Sequence, residues 1–545
     1  MAKKDYSNFT KEELLEEVKK LEKRKKYGIV WEDKPEKVAE MCKEKLPVLE
    51  EDTKKEIVTD KEKDYNILIE GDNYHALSVL NYTHKGKIDL IYIDPPYNTG
   101  KSNEWKYNDK WVDENDAYKH SEWLSFIEKR LRLAKPLLKD SGIIFISIDD
   151  NEIAQLKLLC DELFGENNLI ALIAWQSTET LRNDTKYFSP NCEFILVYGK
   201  NKEEVKIRGI LKGEKQKGYY KNPDNDPRGP YLQTPLHAKS GNEKNRFAFR
   251  FSNGQIWEPP KGRYWAFSKE TLERLDKEKR LYLDPKRINV PRKKTYLSEV
   301  SNLMRPWTFW RYEDFGTTRQ GNAELRELMG RGFFDNPKPT KLLKKIIDLV
   351  IDKYGVVLDF FAGSGTTGHA VLELNKLDSG DRKFILCTNN EGNICNEVCY
   401  PRIKKVINNL EQEEKKKLVK NMPGNLKYFK TDFVDAEPTD KNKEKIVKKS
   451  TEMLCLKEDC FNEIESESNF CVFTNNKDKF LGIVYEDEGI SKIKKVITKL
   501  NKKMIVYVFS LDDSAREDQF EDVKNLVELR PIPAVILNVY RRIFK

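Results

Sequence analysis

Short apolar runs that stop abruptly at polar, glycine or proline turns constrain the fold of this chain more than any other feature. Residues 65–70 close on Gly71-Asp72-Asn73, 88–93 on Asp94-Pro95-Pro96-Tyr97, 143–148 on Asp149-Asp150, and 356–361 on Ala362-Gly363-Ser364-Gly365. Runs this short, bounded by turn residues, suit strands buried on both faces. Helical spacing separates them, at roughly 75–80, 120–138, 152–163, 340–352 and 401–420. Strands alternating with helices predict an α/β chain, a doubly wound and mostly parallel sheet. The alternation lapses over 201–330, where Pro, Gly, Asn and aromatics multiply, and resumes after Asn336-Pro337-Lys338-Pro339. The expected division is a helical N-terminal arm (1–64), a first half-sheet (65–200), an inserted domain (201–330), a second half-sheet (331–435) and a small C-terminal α/β domain (436–545). In the arm, Thr10 and Glu13 form a capping-box pattern ahead of a helix over 10–26.

The net charge of +8 is unevenly spread: residues 201–320 hold 27 Lys+Arg against 15 Asp+Glu, so the rest is slightly acidic. A basic segment localised in this way is the footprint expected for a polyanion partner, although a solvated lysine-rich face has the same composition. No apolar run approaches the ~20 residues that span a bilayer, and the start of the chain is polar, so no membrane partner and a cytoplasmic location are expected. The nine cysteines, an odd number, include no C-x-x-C pair, which argues against a disulfide framework and against a bound metal.

Two strand ends carry the chemistry, because open α/β sheets bind ligands beyond the carboxyl ends of their strands. The first is Asp94-Pro95-Pro96-Tyr97, whose chance occurrence as Asp-Pro-Pro-aromatic is on the order of one in a hundred for average composition. A proline-rich turn explains the prolines but not the acid or the ring. An exocyclic base amine is a poor nucleophile, since its lone pair is delocalised into the ring. A carboxylate (Asp94) and a rigidly held carbonyl (Pro95, fixed by Pro96) could each accept one of its N–H bonds and stabilise charge developing on nitrogen. Tyr97 offers a face on which a base drawn out of a duplex can stack.

The second end runs from Asp359 through Phe361, Gly363, Gly365 and Thr366. Its glycines allow backbone to approach a ligand where strand passes into helix. Gly363, Gly365 and Gly368 also satisfy G-x-G-x-x-G, so a dinucleotide site competes, and Glu391 after the next strand could hold ribose hydroxyls in either case. Hydride transfer, however, gives Asp94–Tyr97 no task. Gly100-Lys101-Ser102 imitates the end of a phosphate loop, but the required earlier glycine position is Pro95.

These motifs resemble a β-class adenine-N6 DNA methyltransferase, in which the catalytic motif precedes the cofactor motif, and in particular the modification subunits of Type III restriction systems. Residues 27–32, 70–73, 91–100, 361–367 and 451–455 carry the likeness. The resemblance implies S-adenosylmethionine as cofactor, with Phe361, Gly363 and Gly365 around its methionine part, Asp72 at its adenine and Glu391 at its ribose. Asn336, Lys338 and Thr340 would close the pocket. It further implies methylation of adenine N6 in double-stranded DNA, with cytosine N4 as the alternative amine, a homodimer, and a helicase-nuclease partner subunit. The inserted domain becomes the target-recognition domain, with Arg228, Arg246, Arg250, Arg263, Trp265 and Arg292 as its candidate DNA contacts. Asn191-Cys192-Glu193 lacks the family's usual histidine before the glutamate, which puts a base contact there in doubt.

Overall fold

A computed structural model describes residues 10–11, 14–15, 29–60, 63–99, 119–180, 186–286, 288–417, 424–437, 439–511 and 514–544. Most of the helix expected over 10–26, and Gly100-Lys101-Ser102, lie outside the described residues. The chain divides into two compact units, one of residues 1–207 with 308–545 and one of 208–307.

The larger unit is built on ten strands: β1 (Lys45–Glu51), β2 (Tyr65–Glu70), β3 (Ile88–Ile93), β4 (Leu138–Ile148), β5 (Leu169–Gln176), β6 (Cys192–Gly199), β7 (Phe309–Trp310), β8 (Tyr354–Asp359), β9 (Asp381–Thr388) and β10 (Asn425–Asp435). Their order is β1-β10-β2-β9-β8-β3-β4-β6-β5-β7. Six neighbouring pairs are parallel, and three, β1/β10, β4/β6 and β5/β6, are antiparallel. The central strands have no polar face: Ile88, Leu90, Ile91, Tyr92 and Ile93 are all buried, and Asp89 is neutralised by Lys139 at 2.7 Å. The doubly wound α/β class follows from the order. From β2 through α1 (Asn73–Thr83) to β3, and through α2 (Lys119–Ala134) to β4, the chain moves one way across the sheet. From β8 through α3 (Thr366–Asp378) to β9 it moves the other way, and right-handed crossovers then put α3 on the face opposite α1 and α2. Winding reverses between β3 and β8, which are neighbours, and this is the topological switch point.

The terminal segments are not the separate arm and domain expected. Part of the 1–64 segment, Lys45–Glu51, is itself a sheet edge, paired antiparallel with β10. The last hundred residues form a second sheet of five strands, Asn462–Glu467, Phe470–Thr474, Phe480–Val484, Met504–Phe509 and Val527–Ile532. One continuous apolar core joins them to the larger unit, running from Leu77 and Leu80 of α1 to Leu454, Ile483, Ile536 and Tyr540. The inserted unit is also shorter than 201–330. Residues 309–310 rejoin the sheet beside β5, and Thr318–Met329 is a helix of the larger unit. Among the described residues no helix is long and apolar enough to cross a membrane.

Arg130 of α2 ties the early chain to this core. Its guanidinium is fully buried, pairs with Glu36 at 2.7 Å and Asp72 at 3.3 Å, and donates to Asn73. Removing it strands two carboxylates, so Arg130→Ala should cost about 3–5 kcal/mol. A urea midpoint equal to wild type would refute this.

Candidate active site

Register brings the two motif-bearing strand ends together. Leu358 of β8 pairs with Ile91 of β3, so three residues further on Phe361 and Asp94 leave the same edge side by side. Both line one cavity of about 1130 Å³. Pockets for single small ligands run to roughly 1,000 Å³, so there is room for two.

The Asp94 loop is held from several sides. The indole of buried Trp123 donates to the Pro96 carbonyl at 2.7 Å, which leaves Pro95 to present its carbonyl to a ligand. Asn98, at φ 57°, ends the turn and donates to buried Glu152 at 2.7 Å. Asp94 itself is fully engaged. Its Oδ1 lies 2.7 Å from the Tyr97 hydroxyl and its Oδ2 accepts from Lys338 Nζ at 2.8 Å. Glu193 completes the group, 3.1 Å from the Tyr97 hydroxyl and 3.4 Å from Lys338. Burial, reinforced by both carboxylates, keeps the Tyr97 phenol protonated far above its usual range. Burial opposes the charge on Lys338, but Asp94 and Glu193 outweigh it and raise the ammonium above the usual lysine range.

The second loop follows β8. Gly363 (φ 50°) and Gly365 (φ 78°) take left-handed conformations, and a Cβ on Gly365 would meet Cys399 Sγ at 3.1 Å. Gly365 caps α3 without a side chain, so the first N–H groups of the helix are not covered by a side-chain cap. Behind the loop, buried Arg402 donates to Ser364 Oγ at 3.0 Å and Thr366 Oγ1 at 2.8 Å. Asp359 accepts from the Phe361 amide at 3.0 Å and from Thr367.

Of the residues singled out in the sequence, Asp94, Pro95, Pro96, Tyr97, Asn336, Lys338, Asp359, Phe361, Gly363 and Thr366 line the cavity. Asp72, Thr340, Gly365 and Glu391 are not in its lining. Asp72 caps α1 by accepting from the Tyr74 amide at 2.7 Å and pairs with Arg130. Thr340 turns to Glu324, 2.8 Å away, and Glu391 is exposed beyond β9. Lys338 meets Asp94 and not the glycine loop. Glu193, whose base contact was in doubt from the sequence, is placed at the site by the fold: β6 runs antiparallel to β4, so its first residues stand at the edge where its neighbours end, with Phe194 opposite Ile148. An acid at the start of an apolar strand is the one trace this leaves in sequence.

Unit 208–307 is organised around the Tyr231–Pro235, Leu281–Tyr282 and Arg292–Tyr296 strands and an apolar cluster that includes Phe249, Phe251, Leu272 and Leu275. Two of its expected DNA contacts are corrected here. Trp265 is 2% exposed in that cluster and donates its indole N–H to the Phe247 carbonyl. Arg228 is spent on Asp226 at 3.0 Å and on the carbonyls of Glu278 and Lys279. Arg246 and Arg263 are half-buried, Arg246 lying 3.4 Å from Glu258, while Arg250 and Arg292 are exposed.

A family model described as DNA methylase matches residues 88–394, more than half of the chain. The chain belongs to the DNA methylase family. It is 36% identical over 367 residues to the Type III restriction-modification enzyme StyLTI Mod subunit of Salmonella typhimurium, covering 63% of this chain and 55% of the relative. The EcoPI Mod subunit of Escherichia phage P1 is 33% identical, over 60% of this chain and 58% of that one. The Type II methyltransferase M.KpnI of Klebsiella pneumoniae is 33% identical, over 67% of this chain and 90% of its own length. The chain thus spans just over half the length of the two Mod subunits.

Burial pushes Asp359 up to about 7. The folded protein therefore holds a proton there that the unfolded chain releases near pH 4, and this contribution to stability is lost as pH rises from about 4 to 7. Asp359→Asn should flatten the dependence in that window. Identical denaturation midpoints against pH for both proteins would contradict the assignment.

Proposed function

We propose that the chain transfers a methyl group from S-adenosylmethionine to N6 of an adenine flipped out of double-stranded DNA, as the modification subunit of a Type III restriction-modification system. The observation that carries this reading is the single cavity shared by Asp94–Tyr97 and the Phe361–Thr366 loop at the switch point. The family membership and the Mod relatives support it.

The residues present suit the cofactor. The glycine turn is a cradle in which a Cβ on Gly363 would sit in the cavity wall, 3.5 Å from Phe334. The N-terminus of α3 offers its amides to a carboxylate. Phe361 presents an apolar surface and Asp359 an acid to the amino-acid end. Bound there, S-adenosylmethionine supplies a methyl group activated by a sulfonium. Asp94 and the Pro95 carbonyl accept the two N–H bonds of the target amine, which turns its lone pair toward the donor. Tyr97 stacks on the base. Lys338 pairs with Asp94 and fixes its direction. A homodimer and a helicase-nuclease partner belong to the same proposal, and the exposed Arg250 and Arg292 are the better DNA contacts in unit 208–307.

Incubation of duplex DNA with methyl-labelled cofactor, followed by mass analysis of the nucleosides, should yield N6-methyladenine. N4-methylcytosine would overturn the choice of amine, and unlabelled DNA the whole reading. Asp94→Ala should lower transfer by at least about a hundredfold with cofactor binding retained. Full turnover by that variant would remove Asp94 from the reaction. Arg250→Ala with Arg292→Ala should weaken DNA binding and make its salt dependence shallower by about one ion per lost phosphate contact. An unchanged slope would count against these two contacts.

A further inference from the structure

Three groups from three parts of the chain meet at Asp94, one of them from its own loop, and the reaction proposed above uses only some of their chemistry. Tyr97 follows β3, Glu193 begins β6, Lys338 precedes the helix Thr340–Val350, and all lie within hydrogen-bonding or ion-pairing reach, from 2.7 to 3.4 Å. Two carboxylates against one ammonium leave the group with one unbalanced negative charge. A neutral amine that is methylated becomes a cation and must lose one proton, so the group has the charge to receive it.

We propose that Glu193 is the terminal proton acceptor of the transfer, reached from Asp94 through the Tyr97 hydroxyl. The inference rests on the amino-methyl-transfer reading. As the N6–carbon bond forms, the carbon–sulfur bond breaks and its electron pair stays on sulfur. The nitrogen now bears a methyl group, two protons and a positive charge. One of those protons passes to Asp94. Asp94 Oδ1 then donates to the Tyr97 oxygen, whose own proton moves to Glu193 Oε2. The products are a neutral methylamino base, a neutral thioether and a protonated Glu193.

Each link is in place. The Tyr97 oxygen stands between the two carboxylates, at 2.7 and 3.1 Å. The Glu193 side chain is 19% exposed, so water can take the proton between turnovers. Lys338 contacts both acids, at 2.8 and 3.4 Å, and holds them in place around the Tyr97 hydroxyl. Tyr92 on β3, Asp149 after β4 and neighbouring Cys192 also face Glu193. Asp149 is pushed up to about 6 by burial and is a competing acceptor on that wall.

The relay differs from a structural or purely electrostatic role in what each substitution does. Glu193→Gln removes the acceptor but keeps an amide of the same shape. Tyr97→Phe keeps both charges and the stacking ring but cuts the path. Each should slow single-turnover methylation of duplex DNA at neutral pH by about a hundredfold, within the usual range for positioned proton transfer. The double variant should be no slower than either single one, because both break the same chain. Glu193→Asp should recover at least about tenfold over Glu193→Gln, which excludes misfolding as the cause. Losses that add in the double variant, or a Glu193→Asp variant no faster than Glu193→Gln, would overturn the relay while leaving the methyl-transfer reading intact. A wild-type protein that labels no DNA would overturn both.

Discussion

Parallel pairing of β3 with β8 is the contact on which the rest of the structure depends. The two strand ends are far apart in the chain, Asp94 and Asp359, and only their register makes them neighbours. Parallel strands need a crossover, and the crossovers on either side of this pair run in opposite directions, so a cleft opens beyond their carboxyl ends. The carboxyl-terminal residues of both strands are buried, which fixes the loops that leave them. A site on such a platform keeps its geometry to a fraction of an ångström, as positioning one amine beside one donor requires.

The second constraint is charge. Asp94 and Glu193 share one hydroxyl, and two carboxylates so close would ordinarily shift one another toward neutrality. Lys338 stands against both, at the cost of burying an ammonium, and the carboxylates hold that ammonium charged. The lysine arrives from the segment between Thr318–Met329 and Thr340–Val350, whose helices are linked through Glu324 and Thr340. The stretch on either side of residue 330 is therefore one wall of the site. A domain boundary drawn there from composition cuts through a single working element.

What could be read from sequence divides along physical lines. Strands β3, β4 and β8 are legible because burial of their carboxyl-terminal halves leaves short, mostly apolar runs, and Asp94 and Phe361 because proline and glycine mark rare backbone geometry at their ends. Edge strands are not legible in this way. Lys45–Glu51 contains a proline and three charges, and Asn462–Glu467 is almost wholly polar, since an edge strand satisfies only one neighbour and faces water. The roles of Glu193 and Lys338 lie in distances across the sheet, which no local pattern encodes. Composition located the positive charge of the inserted unit but not its direction. Arg228 turns inward to Asp226 and Trp265 fills the core, whereas Arg250 and Arg292 face outward.

The same electrostatics explains why the chain carries its positive charge where it does. The catalytic cluster is net negative, and Asp149 and Asp150 stand on the same cavity, so a polyanion approaching unaided would be repelled. Under the proposed function the attraction has to come from elsewhere. Unit 208–307 holds 23 basic against 11 acidic residues. Within the larger unit, Arg319, Arg326 and Arg331 line the cavity, are exposed, and make no ion pair among the described residues. Under that reading, the cations that would hold phosphates and the anions that would hold an amine are kept on different residues, so the Asp94 group is not also asked to bind the DNA backbone.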